Sequence, residues 1–219
     1  MENIASGEHD AIIGLKASYE ALTGMMKKLG ARYQQLRWGL SPVVVGCRGQ
    51  VGPGSAVPHA VFSKRRIRRG DVLVTEAGVE VGGYTSELER TVIVGKAGSR
   101  EKKYFETMLR AQDAALSTFK PGVACSQVEA AARKTVEAAG LTGALRHHVG
   151  HGIGIDGHEL PWLDPGEKTI MKTGMVFSCE PGLYIPGFAG FRHSDTIVIT
   201  KNGMNFITHY PRDLEKLTV

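Results

Sequence analysis

Cysteine is scarce: Cys47, Cys125 and Cys179 are all that the 219-residue chain carries. They are odd in number and far apart, and no CxxC pair occurs, so neither a disulfide framework nor a zinc knuckle is suggested. No apolar run approaches the roughly 20 residues that a membrane span requires. The opening residues, MENIASGEHD, lack the basic-then-apolar layout of a secretory signal. A reducing cytoplasm is therefore the expected setting, with no membrane partner. Aromatic residues make up only 7% of the chain, and none interrupts the dense basic run Lys64-Arg65-Arg66-Ile67-Arg68-Arg69. Without rings to stack on bases, that run reads as a solvated connecting loop, and no nucleic-acid partner is expected despite the net charge of +5.

What is present is an ordinary globular composition, 42% hydrophobic and 22% charged, in a chain long enough for one large domain or two small ones. Apolar residues at helical spacing (Ile12, Leu15, Tyr19, Leu22, Met25, Met26, Leu29) predict a helix over 8–29, stopped by Gly30. A short strand is expected at 42–46, and the Gly, Pro and Ser content of 51–58 marks a loop. Extended runs at 71–81 and 84–95 flank Gly82-Gly83, a strong hairpin signal. Helices are expected at about 99–119 and 126–139, the second ending at Gly140. A glycine- and histidine-rich stretch fills 143–158. Beyond it, MVFSCEPGLY, FRHSDTIVIT and MNFITHY each read as a strand. Strands and helices that do not alternate one for one point to an α+β fold.

The chemistry-bearing residues cluster. His147, His148, His151 and His158 fall within twelve residues, and glycines flank His151 in Gly-His-Gly-Ile-Gly. Such glycines allow the backbone a close approach to whatever the imidazole serves. Glu180 interrupts an otherwise apolar strand, and a buried carboxylate there needs a metal, another cation or a proton. The hairpin adds Glu76 on its first strand, with Glu87 and Glu89 two apart, hence on one face, of its second. Alone, the hairpin acids would suit a solvated face; together with His151 and Glu180 they suggest a site.

Four motifs follow one another in order. They are Gly70-Asp71 with Glu76-x-Gly78 and Gly83-Tyr84-x-x-Glu87-x-x-Arg90-Thr91; GHGIG with His158-Glu-x-Pro; Gly174-Met-Val-x-x-x-Glu180-Pro-Gly-x-Tyr184; and Gly190-x-Arg192-x-x-Asp195-Thr196. Over residues from about 50 to 200 this order resembles the pita-bread hydrolase superfamily, the group of aminopeptidase P, Xaa-Pro dipeptidase (prolidase) and creatinase. The resemblance implies a fold of two pseudo-symmetric α/β halves around a curved antiparallel sheet. It implies one catalytic-type domain over 1–219, without the N-terminal domain usual in the family, and a homodimer.

In the peptidase members, two aspartates, a histidine and two glutamates hold two divalent metals. Carried over by the resemblance, these positions fall on Glu76, Glu87, His151, Glu180 and Ser194. The two Asp-to-Glu changes shift a carboxylate by about 1.5 Å, and a serine hydroxyl is a poor ligand for a divalent metal. His193 and Asp195 point to the opposite strand face and do not substitute. The resemblance thus implies one divalent metal (Mn, Co or Zn) held by some of Glu76, Glu87, His151 and Glu180, or none. It implies catalytic roles for His59, His151, His158 and Glu180, and contacts to a short-peptide or other small substrate from Glu89, His147 and Arg192. Creatinase, which works without metal, also carries Leu-Glu-Arg-Thr as at 88–91; its catalytic histidine matches His59 and its guanidino-gripping glutamates match Glu89 and Glu180. Three functions are carried forward: an Xaa-Pro peptidase-like hydrolase with a degenerate metal site, a metal-free creatinase-like hydrolase of a cationic guanidino substrate, and a non-catalytic peptide- or partner-binding module.

Overall fold

The computed structural model describes residues 4, 7–33, 43–46, 50–61 and 65–219. Pro42, Cys47 and Lys64, which figure in the sequence reading, lie outside the described residues. The N-terminal helix α1 (Asp10–Leu29) leads to strand β1 (Val43–Gly46) and then to the hairpin β2 (Val72–Val81) and β3 (Tyr84–Ile93). Helices α2 (Ser99–Leu116) and α3 (Cys125–Ala138) follow. The rest is short strands: β4 (His151–Gly152), β5 (Glu159–Trp162), β6 (Val176–Cys179), β7 (Gly182–Ile185), β8 (Ala189–Arg192), β9 (Ser194–Thr200) and β10 (Gly203–Phe206). The segment 52–56, expected as loop, makes a 3-10 turn.

One antiparallel sheet runs in the order β1-β2-β3-β9-β6-β4-β5, with β10 attached to β9. β7 and β8 form a separate hairpin. The fold is α+β, with the antiparallel sheet characteristic of a pita bread. The β2–β3 turn has φ of 60° at Gly82 and 84° at Gly83, the two positive values a tight primed turn demands.

Helices cover one face of the sheet. α2 buries Phe105, Met108, Ala111 and Ala115 at intervals of three and four, and α3 buries Cys125, Val128, Ala132 and Val136. Leu73, Val92, Phe177, Ile197 and Ile199 belong to the same core. α1 departs from expectation. Its predicted apolar stripe is largely outside, with Leu15 73% and Tyr19 70% exposed, while Ile13 is buried. A cavity of about 330 Å³ lies between α1 and the sheet, lined by Ile13, Ala17, Leu73, Thr75, Leu88 and Val92.

Two expected strands are broken. MVFSCEPGLY divides into β6 and β7 at Glu180-Pro181, and FRHSDTIVIT divides into β8 and β9 at His193. Proline has no N–H for the ladder, and the Glu180 N–H leaves β6 to donate to the Val149 carbonyl at 2.7 Å. Glu180 therefore stands at a strand break, not within a strand. Two short strands, β4 within the glycine- and histidine-rich stretch and β5 directly after it, were not anticipated, since neither offers enough residues for a period to be read.

Candidate metal centre

The open face of the sheet gathers the acids. In the β2–β3 ladder Glu76 stands opposite Glu89 and Gly78 opposite Glu87, so the three glutamates share a face. Arg90 and Asp195 point to the other face and form a buried pair at 2.7 Å, joined by Gln112 of α2. His193 lies on that helix-covered side too, edge-on to Phe105. β9 adjoins β3 with Ser194 opposite Glu89, and the Ser194 hydroxyl donates to Glu87 Oε1 at 2.7 Å.

β4 brings in His151 between β5 and β6. The glycines beside it serve packing rather than ligand access. A Cβ at Gly150 would collide with the Ser178 carbonyl, and one at Gly152 would sit 2.7 Å from the Leu160 carbonyl oxygen. His151 is fully buried, and its Nδ1 lies 2.9 Å from the Gly152 carbonyl. A carbonyl only accepts, so Nδ1 carries a proton and Nε2 is the ring nitrogen left to face the acids. That Nε2 makes no hydrogen bond to any described residue, and it faces Glu180 Oε1 at 3.2 Å and Glu87 Oε2 at 3.8 Å. Donor atoms of Glu87, His151 and Glu180 lie within 4.8 Å of one another. Glu76 stands outside this trio, though its charge helps push Glu180 up.

Burial first, then the neighbouring Glu180 and Glu89 charges, raise Glu87 to about 8. Burial and the Glu89 charge likewise raise Glu180 to about 8, against the opposing pull of Arg192. Two carboxylates and an imidazole nitrogen gathered at one point repel one another unless protons or a cation neutralise them. The donor set fits a divalent ion with nitrogen and oxygen ligands.

Beside the trio, Arg192 is fully buried and grips Glu89 with Nε and Nη2, the latter at 2.5 Å from Oε1. Its Nη1 donates to the Pro58 carbonyl at 2.8 Å and to the Tyr184 hydroxyl at 2.6 Å, and its Nη2 to Gln50 at 3.2 Å. It thereby ties down the chain next to His59. Arg192 and Glu89 thus spend their charges on each other. His158 stacks on His151 at 4.1 Å between ring centroids, with His59 6.5 Å from His158. Burial, then the His151 and His59 charges, lower His158 to about 4. Tyr184, Gln50 and Trp162 were not singled out from sequence. Tyr184 does end the Glu-Pro-Gly-x-Tyr motif, but no spacing rule points to Gln50 or Trp162.

Residues 14–201 match the model of metallopeptidase family M24. The chain belongs to that family. Among M24 relatives, it is 34% identical to an Xaa-Pro dipeptidase of Pyrococcus horikoshii over 214 residues, which is 98% of this chain and 57% of that protein. It is 39% identical over 173 residues to a probable dipeptidase of Mycobacterium tuberculosis, covering 78% of this chain and 45% of the relative. The chain therefore spans about half the length of such relatives. M24 structures superpose on it closely. The prolidase from Pyrococcus horikoshii gives a TM-score of 0.83 at 33% identity, over 97% of this chain and 57% of that one. The X-Pro aminopeptidase from Thermotoga maritima gives 0.84 at 28% identity, over 100% and 57%. Among the described residues of this M24 chain, no helix is long and apolar enough to cross a membrane.

Proposed function

We propose that this chain is the catalytic part of a metal-dependent hydrolase that cleaves the peptide bond before proline in short peptides, with one divalent ion held by Glu87, His151 and Glu180. The observation that carries this reading is the orphaned, fully buried Nε2 of His151, turned toward two carboxylates whose proton affinities are raised. When bound, such an ion polarises a carbonyl and acidifies water. The names of the M24 relatives, Xaa-Pro dipeptidase and prolidase, support the substrate class. A cytoplasmic setting and a homodimer accompany this reading as expectations of the resemblance.

The chain's own groups take the remaining tasks. Glu180, whose Oε1 stands 3.2 Å from His151 Nε2, accepts and returns a proton at its carboxylate oxygen. His158 is neutral at pH 7 and offers one N–H to a developing negative charge, with His59 next to it. The Arg192–Glu89 pair holds the 58–59 segment and Tyr184 in place. The same pair counts against the metal-free guanidino reading, because a guanidinium of the protein already occupies the Glu89 carboxylate.

The test is elemental analysis of protein purified without chelator, followed by titration of Mn, Co and Zn into the stripped protein and assay on Xaa-Pro dipeptides. About one equivalent per chain, lost in His151→Ala, supports the proposal. No metal at micromolar affinity overturns it.

A further inference from the structure

α1 holds few of its apolar residues against the sheet. Of its 20 residues only Asp10 and Ile13 are buried, and a cavity of about 330 Å³ lies between the helix and the strands. A helix is held in water chiefly by burying an apolar face, so one buried isoleucine is thin support for about five turns. The other large apolar residues stand on the outer side. Ile12, Leu15, Tyr19, Leu22, Met26 and Leu29 follow one another at intervals of 3, 4, 3, 4 and 3. That is the a/d repeat of a coiled-coil seam. Ile12, Leu15, Tyr19 and Met26 are exposed, and Leu22 and Leu29 are half-buried.

α2 and α3 pack along each other, whereas α1 has β1 as its main neighbour. The seam carries no charge. Lys16, Glu20 and Lys27 flank it on one side, and on the other Ser18 is tied to Val45 by hydrogen bonds of 3.0 and 2.8 Å. A heptad seam accepts another helix, and this one fits a copy of itself. Laid antiparallel about a twofold axis between Tyr19 and Leu22, every a position meets a d position. Ile12 meets the partner's Leu29, Leu15 the partner's Met26, and Tyr19 the partner's Leu22. The same alignment turns the acidic start of the helix, Glu8 and Asp10, toward the partner's Lys27 and Lys28, and sets the two helix dipoles head to tail. A parallel pair would instead bring Lys27 and Lys28 beside the partner's Lys27 and Lys28, like charge against like.

We propose that the outer face of α1 is an interface between two copies of this chain, closed by an antiparallel pair of α1 helices. The strand residues beneath α1, Thr75, Leu88 and Arg90, alternate with Glu76, Glu87 and Glu89. The interface therefore lies on the face of the sheet away from the metal centre, and it does not rest on the peptidase reading.

Sedimentation equilibrium of the whole chain tests this from about 1 to about 100 μM, the range in which a small apolar interface associates. The expected result is a rise from the 23.6 kDa of one chain toward twice that mass. Leu15→Glu and Tyr19→Glu each weaken association about a hundredfold, because each puts a charge into an apolar seam. Helix content, metal stoichiometry and metal affinity stay those of the parent. Cross-linking reads the orientation. Cys125 and Cys179 are buried, so in a Cys47→Ser background a cysteine introduced in the seam is the accessible thiol. Leu15→Cys and Met26→Cys proteins are oxidised separately and as a mixture, and a disulfide-linked dimer is expected from the mixture alone. Self-linking of Leu15→Cys overturns the antiparallel pair. A monomer throughout the range, or a dimer that both glutamate variants leave intact, overturns the interface. The absence of a disulfide in the mixture overturns it as well, whatever the glutamate variants do to the fold.

Discussion

The Ser194 hydroxyl donates to Glu87 across 107 residues of chain, Oγ to Oε1 at 2.7 Å. Where the peptidase pattern of the resemblance has a fifth carboxylate, this protein has a neutral donor that steadies one of the remaining ligands. Ser194→Glu should return a carboxylate to that point. We expect metal affinity to rise by about tenfold or more, equivalent to about 1.4 kcal/mol, or a second equivalent to bind. The metal-free protein should melt at a lower temperature, because another anion joins a buried acidic group. Calorimetric titration with unchanged affinity and stoichiometry would sink the metal assignment of this pocket.

Glu87 and Glu180 both sit at about 8 in the folded protein, above the ordinary 4.5. A carboxyl raised by folding contributes stability that is fully present below its unfolded pKa and is lost as pH climbs through the folded value. The metal-free protein should therefore lose melting temperature between pH 5 and pH 8. Metal affinity should strengthen over the same window, since the ligands must shed protons to bind. A melting temperature independent of pH in that range, with pH-independent metal affinity, contradicts the geometry of the trio.

Arg192 and Glu89 are mutually dependent charges in the interior. Glu89→Gln or Arg192→Met alone leaves one buried charge without its partner, at a cost of about 3–5 kcal/mol. The double variant should recover much of that loss. Chemical denaturation of the four proteins forms the double-mutant cycle, and additive losses would show that the pair is not coupled.

His193 is fully buried between the sheet and α2, and neither ring nitrogen has a hydrogen-bond partner among the described residues. Burial, then the charges of Arg90 and Arg212, hold it far below its usual pKa, so it stays neutral. Unpaired buried nitrogens cost about 1–3 kcal/mol, and His193→Leu should leave stability unchanged or raise it. A drop in the urea midpoint would show that the ring has a polar partner.

The sequence by itself determined the local elements and the family. Gly82-Gly83 marked the hairpin turn, period-two alternation put Glu87 and Glu89 on one face, and the helices expected at about 99–119 and 126–139 are found at Ser99–Leu116 and Cys125–Ala138, covering the sheet. The same alternation sent His193 and Asp195 to the other face, where they are found. Four ordered motifs were enough to indicate the M24 fold.

What depended on the path of the chain could not be read locally. Apolar spacing alone did not tell the inner face of α1 from the outer. The break at Glu180-Pro181 falls where proline removes a ladder donor, and the break at His193 falls where the chain passes from the β7–β8 hairpin into the main sheet at β9. That Glu89 meets Arg192, 103 positions away, and that Glu87, His151 and Glu180 bring donor atoms within 4.8 Å of one another, are long-range contacts. Such contacts are fixed by strand register and by where each donor finds an acceptor. Those are properties of the packed molecule, and no window of sequence contains them.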